Sequence, residues 1–599
     1  MGSAQRLEVF VSTGGGGPAT RPSSALRVAS GFGAGAAALA LILPMPAQAQ
    51  AAPTRDELEG VTRTEAPSLP RLSIEGGVER SPCALADPQY ADITVQISNV
   101  VFNNLKGAAP AELDPAWRPF AGAPQPVAVL CEIRDAAATI LRNKGYLAAV
   151  EVPTQKIENG QVRMEVLYGR ITALRARGET QGAERKLEQY LSNLTDDEIF
   201  NRFEAERYLL LARDLPGYNV QLTLRPAGAA PGELIGEVTV LRRPYTLDFT
   251  VQNYAARATG PWGGQLRFQA FGLTGMGDAT TLSYYATADF EEQHILQAAH
   301  EFRPGSEGLV VAARVTHAWT KPDIGPVAGG GSLDARTLYA SLSARYPLKR
   351  SVAESWWLGG GFDFIDQDVD FLIPLTEDKL RVLWARLRYE GIDTTRRQPA
   401  WQARASLELR RGLDILGASD PCIGAGCAAG QLPISRLDGD PSATTVRFDG
   451  ELSYLLTETI AVAVQPRAQY AFGPLVAFEE FTVGNYTVGR GYDPGTLIGD
   501  DGLGLGVELR GPRVPLGEAG NFRVQPYAFG DIAYVWNKNT PGSASLYSAG
   551  LGARAELGDH FRIDTTLAVP LKRAGLLNER GDVRLLVTLT TRILPWRAN

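Results

Sequence analysis

Five side-chain groups in this 599-residue chain carry enough chemistry to be tested first as a site. Cys422 and Cys427 sit five positions apart in Asp420-Pro421-Cys422-Ile423-Gly424-Ala425-Gly426-Cys427. In a Gly-rich stretch, that spacing suits a small disulfide-closed loop. A metal site would need more ligands, and His294, His300, His317 and His560 are scattered. Cys83 and Cys131 are the other two cysteines and are candidates for a second disulfide. Glu291-Glu292 and Asp500-Asp501 bring carboxylates together, but no nucleophile and base accompany them, so acid–base catalysis is not expected. The run Gly329-Gly330-Gly331 lacks the Lys-Ser/Thr of a phosphate-binding loop, and no nucleotide partner is expected. Arg490, in Val488-Gly489-Arg490-Gly491-Tyr492, offers a planar fork of donors whose best partner is a carboxylate.

The elements that must position these groups fall into two regimes. From residue 244 onward the chain alternates apolar and polar residues with a period of two, and no helix is evident. Leu247, Phe249 and Val251 alternate with Asp248, Thr250 and Gln252; Ala403, Ala405, Leu407 and Leu409 oppose Arg404, Ser406, Glu408 and Arg410. In the last strand Val583, Leu585, Val587, Leu589 and Ile593 share one side, with Leu586 the exception. The polar face carries charges that a packed core could not hold, which favours a barrel in lipid with a wet lumen. At roughly 20 to 22 residues per strand and connection, this region predicts an all-β transmembrane barrel of about 16 antiparallel strands. Trp356, Trp357, Trp384, Trp401, Trp536 and Trp596 suit an aromatic girdle, with room for some to face the lumen.

Before the barrel the pattern is α+β. Residues 127–144 have helical spacing and end at Gly145; strands follow at 148–153 and 161–168. A similar unit recurs: a strand at 170–176, helices at 183–191 and 200–212, then strands at 219–225 and 233–242. The N-terminus reads as an export signal, with basic Arg21 and Arg27, an apolar, uncharged run from Val28 to Pro46, and the cleavage pattern Ala47-Gln48-Ala49. The expected division is therefore 1–49 signal peptide, 50–71 N-terminal helix and linker, 72–169 first module, 170–243 second module, and 244–599 barrel.

A formal net charge of −7 gives no basic excess, so no nucleic-acid partner is expected. A mean hydropathy of −0.10 excludes a helical membrane protein but not a barrel, whose lumen-facing residues dilute the apolar ones.

The segment Phe481 to Gly495, with Arg490-Gly491-Tyr492, resembles the signature loop of the outer-membrane transporters of two-partner secretion, the TpsB or ShlB/FhaC/HecB family of haemolysin secretion/activation proteins. Gly489 stands where that family more often has Val. Glu508-Leu509-Arg510-Gly511-Pro512 is also family-like, and Phe529-Gly530-Asp531-Ile532-Ala533 is similar to the family's F-x-D-x-G strand, with Ala533 in place of the Gly. The resemblance implies that the two α+β units are POTRA modules. It also implies that Arg490 pairs with Asp531, beside Phe529, on the barrel wall. The implied function is an outer-membrane pore with periplasmic modules, translocating a large secreted exoprotein of the TpsA type, without cofactor or nucleotide. Its non-protein partner would be outer-membrane lipid. The alternative within reach of the same motif is a barrel-assembly factor.

Overall fold

The computed structural model describes residues 52–60, 82–178, 184–194, 199–227, 232–323, 332–422, 426–517, 521–558, 560–575 and 581–594. All of them belong to one compact unit, Met45–Asn599. The expected signal with Ala47 and Ala49, residues 61–71 of the expected linker, Gly329–Gly331 and Trp596 lie outside the described residues.

Helix α1 (Arg55–Gly60) comes first. The next unit holds strand β1 (Asn99–Asn103), helix α2 (Val129–Asn143), and strands β2 (Ala148–Glu151) and β3 (Gln161–Tyr168). The apolar positions of α2, including Val129, Ile133, Ala137 and Leu141, recur at three- and four-residue spacing and are buried. They pack on Val162, Met164 and Val166, the inward residues of β3. The helix stops where Gly145 takes φ +93°. The chain before α2 is extended at Thr94–Gln96 and again in β1. Cys83 and Cys131 are disulfide-bonded, tying the segment before β1 to α2.

The second unit consists of β4 (Arg170–Gly178), α3 (Glu184–Ser192), α4 (Arg202–Arg213), β5 (Tyr218–Pro226) and β6 (Glu233–Arg242). In both units the third strand is central, parallel to the first and antiparallel to the second. The helix bounds differ from the expected ones by one or two residues, as frayed ends do. This unit sits on the periplasmic turns of the barrel. Asp214 makes a two-pronged ion pair with Arg350 at 2.8 Å, Arg207 donates to the Pro347 carbonyl at 3.2 Å, and Lys186 donates to the Gly305 carbonyl at 2.7 Å.

The barrel wall has, among the described residues, 16 antiparallel spanning strands. They are β7 (Tyr245–Gln252), β8 (Gly263–Phe271), β9 (Ala279–Thr287), β10 (Gln293–Phe302), β11 (Val310–Thr320), β12 (Leu333–Arg350), β13 (Glu354–Phe371), β14 (Ile373–Ile392), β15 (Trp401–Gly412), β16 (Thr444–Leu455), β17 (Ala461–Ala471), β18 (Asp501–Arg510), β19 (Phe522–Trp536), β20 (Ala544–Leu557), β21 (Phe561–Pro570) and β22 (Arg584–Leu594). A three-residue piece, Val514–Leu516, extends β19's hairpin, and β22 pairs back with β7 to close the ring. Leu266, Leu282, Leu342, Leu407 and Leu551 stand exposed on the outside, while Glu408, Arg410, Gln297 and Asp531 are buried inside. Leu586, the odd residue of the last strand, points inward and packs with Tyr527, Phe529 and Ala568. Trp384 also turns inward, donating from Nε1 to Asp363.

Candidate functional site

The lumen is filled by three segments that arrive from different parts of the chain. The largest is the connection between β17 and β18, residues 472–500. It folds back inside the barrel and carries a short ribbon, Phe481–Val483 against Leu497–Gly499. The wall beneath it is shaped for close approach. The inward face of β18 is Gly502, Gly504 and Gly506, alternating with Leu503, Leu505 and Val507. A Cβ on Gly502 would lie 1.9 Å from the Phe481 ring, and one on Gly504 would lie 3.2 Å from Val488. Glycine here is the condition for the loop to lie on the strand.

The loop's tip is held by Arg490. Its Nη2 and Nε donate to the two carboxylate oxygens of Asp531 at 2.7 and 3.1 Å, and its backbone N–H donates to the same carboxylate at 2.9 Å. Its Nη1 donates to Glu508 at 2.7 Å. The guanidinium lies 3.7 Å from the centre of the Phe529 ring, a cation–π contact. The structure thus brings Arg490, Phe529 and Asp531 together. Glu508 joins them, and it also accepts from Arg510 and Arg554. It was not singled out in sequence, although it opens the Glu508-Leu509-Arg510-Gly511-Pro512 stretch. The other motif residues serve the turn. Val488 and Tyr492 are buried in one apolar cluster, and the Tyr492 hydroxyl reaches the carbonyls of Tyr547 and Lys572 at 2.9 and 2.7 Å. Gly489 has φ +118°, a left-handed conformation that a β-branched residue resists. Its departure from the family's usual Val therefore matches its backbone.

The loop has two further anchors. Glu479, near its start, accepts from Arg410 at 2.8 and 2.9 Å and from Arg447 at 3.1 Å. At its base, Asp500 accepts from the Leu475 N–H at 2.7 Å and from Arg436 at 2.5 Å. Asp500 is wholly buried and clamps the base of the loop. Arg436 belongs to the second segment, the connection 413–443 between β15 and β16. It also contacts Glu480 at 3.1 Å. Burial pushes the Glu480 carboxyl up to about 8 against the pull of Arg436, and Asp500 adds to the rise. Cys422 and Cys427 are disulfide-bonded in this same connection.

The third segment is α1. It stands inside the barrel, a placement that its polar sequence did not reveal. Arg55 pairs with Glu408 at 3.1 Å, Asp56 pairs with Arg467 at 2.9 Å and accepts from Thr482 of the loop, and Gln367 reaches the Pro53 carbonyl at 3.5 Å. Leu58 is buried in an apolar cluster with Ile434 of the 413–443 connection, Val476 and Phe478 of the loop, and wall residues such as Tyr339 and Ile365. The three segments thus meet in one apolar cluster within the lumen.

Two family profiles match this chain: the haemolysin secretion/activation protein ShlB/FhaC/HecB over residues 389–555, and the ShlB-type POTRA domain over residues 95–169. The first match contains the loop, Glu508 and Asp531. Over residues 389–555 the chain is thus similar to the ShlB/FhaC/HecB family. Its barrel is an outer-membrane barrel of a secretion protein, preceded by POTRA-type α/β structure. No curated protein sequence is matched. Among solved structures, CdiB from Escherichia coli superposes with a TM-score of 0.70 at 17% identity, covering 90% of this chain and 96% of that one. CdiB from Acinetobacter baumannii gives 0.64 at 17% identity, covering 92% and 98%. At that identity the likeness is one of fold.

Proposed function

We propose that this chain belongs to the ShlB/FhaC/HecB family and is the outer-membrane pore of a two-partner secretion pair, which takes a large TpsA-type exoprotein from periplasm to cell surface. Residues 72–169 and 170–243 act as two POTRA modules that receive the unfolded cargo, and residues 1–49 act as the export signal. The shared strand order of the two units supports the pairing of modules. Lipid is the outer partner, met by the exposed leucines of the wall.

The observation that carries the reading is the double ion pair of Arg490 inside the lumen. Removing one partner from a buried charge cluster typically costs about 3–5 kcal/mol, so the loop tip has a defined rest position. In that position loop, α1 and the 413–443 connection occupy the path. Transport therefore requires them to move, and Arg490 sets where the loop returns. Membrane level and secreted cargo are measured after co-expression with a cognate exoprotein. Arg490→Ala reaches the outer membrane at the wild-type level and releases no cargo. Cargo in the medium at the wild-type rate would refute this role.

A further inference from the structure

We infer that the lumen loop also closes the barrel: it staples the first wall strand to the last, with Tyr486, Asp493 and Arg584 as the positioning residues.

The seam between β22 and β7 is the weak line of the wall. It has six residue pairs with an irregularity between Arg592 and Leu594, against eight for β7 with β8 and eight for β21 with β22. The paired stretch ends at Thr588 opposite Gln252. Beyond it β22 continues to Arg584, while the other chain leaves its strand. Asn253 bridges the start of this gap with its side chain, donating to the Leu585 carbonyl and accepting from the Val587 N–H, both at 2.7 Å.

The loop spans the same gap from inside. On the first-strand side, Gln252 Nε2 donates to the Tyr486 hydroxyl at 3.2 Å, Asn485 Nδ2 donates to the Tyr254 carbonyl at 3.0 Å, and the Tyr254 and Tyr486 rings meet edge-on with centres 6.1 Å apart. On the last-strand side, Asp493 pairs with Arg584 at 2.6 Å, and the Arg584 side chain is only 10% exposed. Between the two grips, Arg490 fixes the loop to β18 and β19. The nine residues 485–493 thus grip the wall on both sides of the seam and at Arg490 between them. If the loop leaves, both grips go together, and among the described residues the rim of the seam keeps the Asn253 contacts and the exposed Arg257–Asp582 pair at 3.1 Å. Local opening follows the few hydrogen bonds that close a region, so the seam's exchange rate reports the staple directly.

The test uses the full chain in phosphatidylethanolamine–phosphatidylglycerol vesicles, with hydrogen–deuterium exchange read strand by strand. Tyr486→Phe removes one hydroxyl and leaves the packing. Asp493→Asn leaves the shape and removes the charge. Each is expected to speed exchange at 247–252 and 588–594 by about tenfold, one 1.4 kcal/mol step, while 401–412 stays unchanged. The exchanged pair Asp493→Arg with Arg584→Asp is expected to restore slow exchange. Unchanged seam rates in both single variants would overturn the inference. So would acceleration spread evenly over all strands, which reports general loosening. The inference depends on the pore reading only for its use in transport. If Arg490→Ala exported cargo normally while Asp493→Asn still opened the seam, the staple would stand and the transport role of the loop would fall.

Discussion

Arg490 serves two acids, and that changes what a single substitution does. Asp531 takes the two-pronged contact, while Glu508 shares its oxygens among Arg490, Arg510 and Arg554. Three cations around one carboxylate form a network in which effects are not additive. Glu508→Gln keeps the shape and deletes the charge that balances them. It is expected to lower secretion several-fold without abolishing it, because Asp531 still holds the loop tip. In the background of Asp531→Asn it is expected to cost more than the sum of the two losses. Cargo released per barrel in the four-way comparison checks this. Arg490 and Asp531 were both visible in sequence. Glu508 was legible only as part of a stretch, because an acid on a lumen-facing strand position looks like any other wet residue.

At the scale of elements, the informative piece is α1. Its ion pairs with Glu408 and Arg467 replace water contacts by protein ones, and such exchange yields little net energy. Leu58 is different: it is 4% exposed and packs with residues of the other two lumen segments. Burying a leucine side chain contributes about 1.5–3 kcal/mol, and a carboxylate in its place would be buried without a partner. Leu58→Asp is expected to free α1 from the lumen. Single-channel recordings in planar bilayers would then show larger and longer openings than the wild type, with the barrel still folded by its heat-dependent gel mobility. Wild-type currents from this variant would mean that α1 is not held at that point. The bed for the loop is a second element-level lesson. The alternation Gly502-Leu503-Gly504-Leu505-Gly506 was present in sequence as an unusual strand, with bulk on the lipid side and none within. Read for what lies on it, that pattern signals a covering segment.

At the scale of the whole molecule, the second α/β unit is fastened to the barrel by Asp214 and Arg350, with neighbouring contacts from Arg207 and Lys186. The Arg350 side chain is 13% exposed and Asp214 27%, so this pair is shielded enough to matter beyond an ordinary surface bridge. Asp214→Ala is expected to loosen the unit from the periplasmic turns while leaving the barrel intact. Limited proteolysis in detergent should then cut the 242–245 junction between β6 and β7 several-fold faster and release the modules. Unchanged cleavage would show that the remaining contacts suffice. The division of labour follows from periodicity. A period of two, an apolar outer face and charges inside were enough to specify strands, a barrel and about 16 of them, since lipid and water impose opposite demands on alternate residues. The repeated α/β units were legible for a related reason: helix and strand spacings differ, and Gly145 marks a helix end. Tertiary structure alone decided what fills the lumen. A polar helix, an extracellular connection and the motif loop all have sequences at home in water, and a wet barrel interior accepts any of them. Only the matching of particular charges far apart in the chain, Arg55 to Glu408 or Asp493 to Arg584, selects which segment lies where, and that information has no local period to be read.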